Sequence, residues 1–274
     1  MFTDIRDYQI LFLSVFLILG IATRDWTLQP EFIIMAIASC LFTQWLFSNF
    51  SKVTSLQIET NTQKSTFNFR SPLITSLGIS LLLRADHWTT IILASVTAIA
   101  SKFIFQTENK HFFNPANFGI ISAISLTADA WVSPGQWGEE WWYCLLFIGA
   151  GGMILKKVGR WDTTAAFLGT YSLLEAFRNF WLGWTWDVYL HRLMSGSLLL
   201  FALFMVTDPR SIPNAPLGRI IWAICLALIT FILRNYFYLP TAVFWALFAF
   251  SPLTILIDHL WLSPRFSWLS TKNS

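Results

Sequence analysis

Charge is scarce in this chain: only 12% of its 274 residues are Asp, Glu, Lys or Arg, against 55% that are hydrophobic. Soluble domains carry roughly a quarter of their residues charged, so a water-facing surface is excluded for most of the sequence. Basic runs are missing as well. A net charge of +3 gives no patch that could track phosphates, and no nucleic-acid partner is expected. The three cysteines, Cys40, Cys144 and Cys225, stand singly in apolar surroundings with no CxxC and no neighbouring His, so they read as small core residues and no disulfide is implied. The chain also lacks a nucleotide-binding loop, paired carboxylates at catalytic spacing and a metal-ligand cluster. Soluble hydrolase, kinase and metalloenzyme chemistry all lose their sequence support.

What is abundant is apolar sequence. Runs between polar breaks fall at about 8–23, 31–50, 72–84, 88–105, 116–130, 141–156, 163–181, 192–206, 219–234 and 240–258. The expectation is an all-α, polytopic integral membrane protein with about ten transmembrane helices, its first partner the lipid bilayer. The first run follows Asp4, Arg6 and Asp7 without a basic leader or a small-residue cleavage pattern, and reads as a retained helix. The third, fifth and eighth runs are short. About thirteen residues reach roughly 20 Å at 1.5 Å per residue, too little for a core of about 30 Å, so these are half-helices or pieces packed inside protein. Trp26, Trp45, Trp88, Trp131, Trp141, Trp142, Trp181, Trp184 and Trp186 lie near run ends, where amphipathic rings favour the headgroup region.

Basic residues set the orientation. With the N-terminus cytoplasmic, only Arg24, Arg84, Arg178, Arg192 and Arg234 of the 18 Lys and Arg fall outside. That bias places both termini in the cytoplasm, in a bacterial inner or plasma membrane, and the outer loop before the sixth run ends in Glu139-Glu140. Ten spans divide into a first five-helix repeat over 1–130 and a second over 141–258. Five is odd, so the second is inverted. Arg70 and Asp86 bracket the third run as Arg192 and Asp208 bracket the eighth, and Asn114-Pro115 and Leu239-Pro240 open the fifth and tenth. The whole chain, 1–274, is then one membrane domain. A repeated broken segment suggests a site near the middle of the bilayer.

Thr207-Asp208-Pro209 is the strongest local signal. A carboxylate at the end of a half-helix can pair with a cation, ligate an ion or accept from a ligand N–H; it can equally meet headgroups and turn the chain with Pro209. Asp86 and Asp208 form a candidate ion or substrate pathway. Ser195-Gly196-Ser197 offers hydroxyls and a close-packing surface. Asn114-Pro115-Ala116-Asn117 opens a helix whose free N–H groups suit an anion, and a plain capped turn explains the same pattern, with Asn114 as N-cap. Glu175 and Arg178, spaced i,i+3, are expected to neutralise each other. Gly149, Gly151 and Gly152 read as a close helix contact. No two histidines converge as a bis-histidine haem would need.

Phe113-Asn114-Pro115-Ala116, Gly159-Arg160-Trp161, Leu193-Met194-Ser195-Gly196 through Thr207-Asp208-Pro209, Gly218-Arg219-Ile220-Ile221 and Pro252-Leu253-Thr254-Ile255-Leu256-Ile257-Asp258 occur in one order. In these motifs, over roughly 66–260, the chain resembles the NqrB/RnfD family, the flavin-carrying membrane subunits of the sodium-pumping NADH:quinone oxidoreductase and of the Rnf complex. The resemblance implies a ten-helix inverted repeat that passes electrons within a multi-subunit, ion-coupled complex. It also implies a flavin site, to which Asn114, Pro115, Asn117, Ser195, Gly196, Thr207 and Asp208 are assigned. Family members attach FMN to a threonine of a Ser-Gly-Ala-Thr-like motif on a long outer loop. Here that loop is short, Thr127-Ala128-Asp129-Ala130 does not supply the motif, and Asp162-Thr163-Thr164-Ala165 is only a partial imitation. Covalent FMN is therefore not expected. The flavin implied is a non-covalent FMN or riboflavin, or one donated by a partner subunit. The alternative is an inverted-repeat channel or transporter for a small solute or cation, without redox activity.

Overall fold

The computed structural model describes residues 4–23, 29–56, 68–108, 110–134 and 142–266. It is built of helices: α1 (Ile5–Thr23), α2 (Pro30–Leu56), α3 (Arg70–Leu82), α4 (Trp88–Ile104), α5 (Pro115–Leu126), α6 (Trp142–Val158) and α7 (Trp161–Trp181). There follow α8 (Trp186–Leu193), α9 (Gly196–Leu200) running into a π-helical turn at Phe201–Met205, α10 (Pro216–Asn235), α11 (Ala242–Phe250) and α12 (Leu253–Leu260). Two short antiparallel ladders join β1 (Leu83–Ala85) to β4 (Ala130–Val132) and β2 (Gln106–Thr107) to β3 (Lys110–His111).

Each apolar run coincides with a helix, with two refinements. The eighth run divides at Met194-Ser195, so Arg192 belongs to α8 and does not open the half-helix, as Arg70 opens α3. The tenth bends by 50° between α11 and α12, where Pro252 cannot donate to the ladder. Among the described residues, three helices are long and apolar enough to cross a membrane, or four with the bent pair as one span.

The helices α1–α5 and α6–α12 pack as two series. Short α3 lies against α1 and α2, α2 also lies against α4, and α4 packs on α5. In the second half the α9 segment lies against α6, its π-turn also against α7, while α7 packs on α10 and α10 on α11. The halves meet where α1 touches α6 and α5 touches α11. Gly119 makes the α4–α5 approach, since a Cβ there would stand 2.3 Å from the Ala94 carbonyl oxygen. Gly151 makes the α6 approach to the π-turn, its missing Cβ 2.8 Å from Leu203 Cδ1; Gly149 and Gly152 face nothing within 4 Å, so only one of three glycines serves the expected contact.

Charge separates to two ends, joined by apolar helices. At one end Arg70 holds Asp7 and Lys102 reaches Ser71, with Lys157 over the Tyr8 ring. At the other, Asp129 accepts from His87 and Thr90, Ser195 bonds the Pro134 carbonyl, and Arg192 meets Glu175. Trp45, Trp88, Trp131, Trp142, Trp181, Trp184 and Trp186 are all exposed, whereas Trp222 is fully buried. Arg24, Trp26, Lys64, the Glu139-Glu140 pair, Trp141 and Lys272 lie outside the described residues.

Candidate functional site

The site is organised by a backbone problem. Over Phe201–Met205 the helix widens to a π-turn, in which the Val206 N–H reaches the Phe201 carbonyl, and the α-helical ladder is interrupted. Carbonyls released inside an apolar core need donors. Three side chains supply them: Thr164 Oγ1 donates to the Ala202 carbonyl at 2.7 Å, Thr207 Oγ1 to Leu203 at 2.7 Å, and Asn114 Nδ2 to Met205 at 3.3 Å. The turn is therefore clamped from α7, from its own exit and from the head of α5.

Asn114 does double duty. Its Oδ1 accepts the Asn117 N–H at 3.0 Å, capping α5 with Pro115 at the first helical position. Asn117, fully buried, donates through Nδ2 to the Phe244 carbonyl at 3.2 Å and so ties α5 to α11.

Asp208 follows the clamp. One carboxylate oxygen lies 3.5 Å from His111 Nε2 on β3, and the other accepts the Arg210 N–H at 3.2 Å. Burial raises the Asp208 pKa, but the His111 hydrogen bond and charge and the Arg210 N–H outweigh it and hold the group below the usual carboxylate range. Burial pushes His111 below its ordinary value, with Asp208 opposing.

Beside it runs a network built from the remaining motifs. Arg219 grips Asp162 at 2.5 and 3.1 Å and donates to the Asn214 carbonyl, which Arg160 also reaches. The Asn214 N–H donates to Asp258, whose second oxygen takes Lys110 Nζ at 2.5 Å. A cavity of about 130 Å³ opens beside Asp208 and His111, its polar lining including Arg6, Asn68, Ser71, His111, Asp208 and Arg210. It continues along α3 past Thr75 and Gly78 to Leu81 and Leu82, facing Leu200 and Phe204.

Asn114, Pro115, Asn117, Thr207 and Asp208 are thus brought together around the π-turn. Ser195 and Gly196 are not: they begin α9 at the other end, where Ser195 bonds Pro134 and Ser197. Asp86 lies exposed between β1 and α4, also at that other end. Asp208 sits at the charged end with Lys102, Lys110 and Arg210 rather than at mid-depth, because the half-helix ends there and its interruption is the π-turn before it. Glu175 does not pair with Arg178. It is buried against Arg192 Nη1 and Asn235 Nδ2, both at 2.8 Å, while Arg178 lies over the Trp184 ring. Sequence reading places Lys102, Lys110 and His111 on the same side as Asn114, where they could add charge to a pocket, but it does not pair His111 with Asp208, and it meets Asp162 and Thr164 only as a partial imitation of the attachment motif. The available signal was a polar Asp-Thr-Thr group at the head of an otherwise apolar α7.

Residues 123–267 match the family model described as NQR2, RnfD, RnfE family. The RnfD protein of the ion-translocating oxidoreductase complex from Halorhodospira halophila is 31% identical over 196 residues, covering 69% of this chain and 51% of that protein. The corresponding proteins from Actinobacillus pleuropneumoniae serotype 5b and Haemophilus influenzae strain Rd are each 31% identical, over 48% and 50% of this chain and 38% of their own lengths. The matches thus span between about two fifths and half of these relatives' lengths. With Arg160, Asp162, the π-turn, Asp208, Arg219 and Asp258 all inside the matched segment, this multi-pass membrane protein belongs to the NQR2, RnfD, RnfE family.

Proposed function

We propose that the chain is a membrane subunit of an ion-coupled electron-transport complex of the Rnf or Nqr kind, working alongside other membrane subunits in a bacterial plasma membrane with its termini cytoplasmic. The observation that carries this reading is the coincidence of the family match with the clamped π-turn and the Asp208–His111 pair. The chain's own part is to hold a charged, half-buried carboxylate at the foot of a broken helix, where displacement of α5 or α7 alters its surroundings.

Two inverted repeats are part of the proposal. From Arg70 to Trp88 the starts of α3 and α4 lie 18 residues apart, and from Gly196 to Pro216 those of α9 and α10 lie 20 apart. The starts of α4 and α5, Trp88 and Pro115, are 27 apart; those of α10 and α11, Pro216 and Ala242, are 26 apart. The repeated packing order and the meeting of α1 with α6 and α5 with α11 support the same internal two-fold relation.

The cavity is small for a flavin. Its volume of about 130 Å³ is well below the roughly 300 Å³ at which small-molecule pockets begin, so no electron-transfer step is routed through it. A flavin donated by a partner subunit is the arrangement that this size favours. The test is purification of the tagged chain from native membranes in mild detergent. Co-purifying subunits with a flavin or iron–sulfur spectrum, and loss of donor-dependent electron transfer on deletion, are expected; a colourless, solitary chain active in liposome solute flux would replace this reading with the transporter one.

A further inference from the structure

Successive residues of a β-strand point to opposite faces, and the two residues of β3 use that alternation to reach different carboxylates. Lys110 Nζ lies 2.5 Å from Asp258, and His111 Nε2 lies 3.5 Å from Asp208. They also line different cavities. His111 and Asp208 belong to the cavity of about 130 Å³, whereas Lys110 and Asp258 belong to a second, of about 190 Å³, with Thr107, Asn214 and Thr254. Strand β3 thus stands between two cavities, each with one carboxylate and one basic side chain from the strand.

These contacts close into a ring. From Asp208 the chain turns, with the Ser211 N–H and hydroxyl both on the Asp208 carbonyl, to Ile212, whose carbonyl accepts Lys110 Nζ at 2.7 Å. Two residues on, the Asn214 N–H donates to Asp258 at 2.7 Å. In the other direction Asp208 meets His111, which is joined by one peptide bond to Lys110, and Lys110 meets Asp258. Ser211, Ile212 and Asn214 are buried, and Arg160 and Arg219 both hold the Asn214 carbonyl, so the 208–214 side has little slack. The strand side is fixed by the pairing of Gln106 with His111 and by the Phe112 N–H on the Phe105 carbonyl.

We infer that Lys110 is a positioning residue for Asp208, acting through the shared strand, and that Asp208 and Asp258 respond as one unit, a change at either being felt at the other. In a closed ring of short bonds, displacement of one member is carried to the rest. The inference deepens the proposed role of Asp208 and rests on that reading for its importance, but its test needs no electron transport, so the two fail separately.

The sign of the coupling follows from the charges that face the ring. Asp208 and Arg160 lie within reach of Lys110, and Arg210 and, from α4, Lys102 lie within reach of the Asp208–His111 pair. Asp162 is engaged with Arg219, and His259 and Arg265 stand at the second cavity. Without Asp258, Lys110 is released toward Asp208, where it competes with a protonated His111. Without Lys110, a positive charge leaves the same neighbourhood. The two substitutions therefore push His111 in opposite directions.

The full chain in detergent, labelled at its four histidines, is titrated by NMR, with His111→Gln identifying the His111 signal. Asp258→Asn is expected to lower the pH at which His111 takes up its proton and Lys110→Gln to raise it, each by about half a pH unit. Lys110→Arg, which keeps the charge and can keep the Asp258 contact, should restore the wild-type midpoint. Hydrogen exchange read by mass spectrometry gives the mechanical half of the test: Lys110→Gln should speed exchange about tenfold in peptides covering 206–215, and Asp129→Asn at the other end should not. A His111 midpoint unmoved by either substitution, shifts of the same sign in both, or unchanged exchange over 206–215 in Lys110→Gln would each overturn the inference. Where Asp258→Asn fails to fold, the shift in Lys110→Gln and its reversal in Lys110→Arg decide alone.

Discussion

Two short elements, α3 and the α9 segment, face the same difficulty and solve it differently. Both are too brief to cross a bilayer, and both must satisfy carbonyls where their ladder stops. At the end of α3 the chain seals itself: Arg84, buried at 5% exposure, folds back so that Nη1 donates at 2.8 Å to both the Ser80 and Leu83 carbonyls. The α9 segment instead borrows, taking donors from Thr164 on α7 and Asn114 before α5. The α3 end takes a side-chain donor from its own Arg84, while β1 continues into the ladder with β4 and the Ser133 N–H reaches the Leu82 carbonyl; the borrowed seal couples three elements through side chains. That difference marks the π-turn, rather than the end of α3, as the place where movement of one helix is felt by others.

The largest effect expected from breaking this comparison comes at the self-sealed end. Arg84→Ala leaves two buried carbonyls without that donor and should cost about 2–4 kcal/mol in detergent unfolding, without altering the Asp208 end. At the borrowed end, Asn114→Ala and Thr164→Val should each cost about 1 kcal/mol. Because both clamp one turn, their double mutant should depart from additivity by about 0.5 kcal/mol or more, whereas Arg84→Ala with Thr164→Val should add. A full double-mutant cycle by urea unfolding in micelles measures this, and additivity in both pairs would erase the distinction.

The pH dependence sharpens it further. The buried His111 has its folded pKa depressed below 6.5, so its contribution is present above that value and is lost as the pH falls below it, when the unfolded chain takes up the proton more readily. Melting temperature should therefore decline below pH 6.5, and His111→Gln should flatten the decline. The Arg84→Ala variant should keep the wild-type slope. The smallest effect is expected at Ser195, whose partners Pro134 and Ser197 lie away from the clamp: Ser195→Ala should cost only about 1 kcal/mol or less and leave activity unchanged in membrane assays.

Much of this architecture was legible in the sequence. The ten apolar runs mark the helices because apolar periodicity and polar breaks are local properties, and the exposed tryptophans follow from the chemistry of the indole ring. The Asn114 cap was readable for the same reason, since Asn before Pro at a helix start is a local signature. The π-turn was not readable: nothing in Phe201-Ala202-Leu203-Phe204-Met205 departs from an ordinary apolar helix, and the turn depends on donors from Thr164 and Asn114 far away in the chain. The echo between Arg70 and Arg192 misled for a related reason. Arg192 looked like the foot of a half-helix, but its partner is the buried Glu175, seventeen residues back, and the break falls after it.

The central claim is that the Asp208 carboxylate at the foot of the clamped half-helix serves ion-coupled electron transport. It is tested most directly by measuring donor-driven ion uptake in native membrane vesicles carrying Asp208→Asn, with assembly and melting temperature followed in parallel. Uptake reduced by about tenfold or more in a variant that folds and assembles normally is the predicted result. Wild-type uptake from that variant would contradict the account and reduce Asp208 to a turn residue at the charged end of the protein.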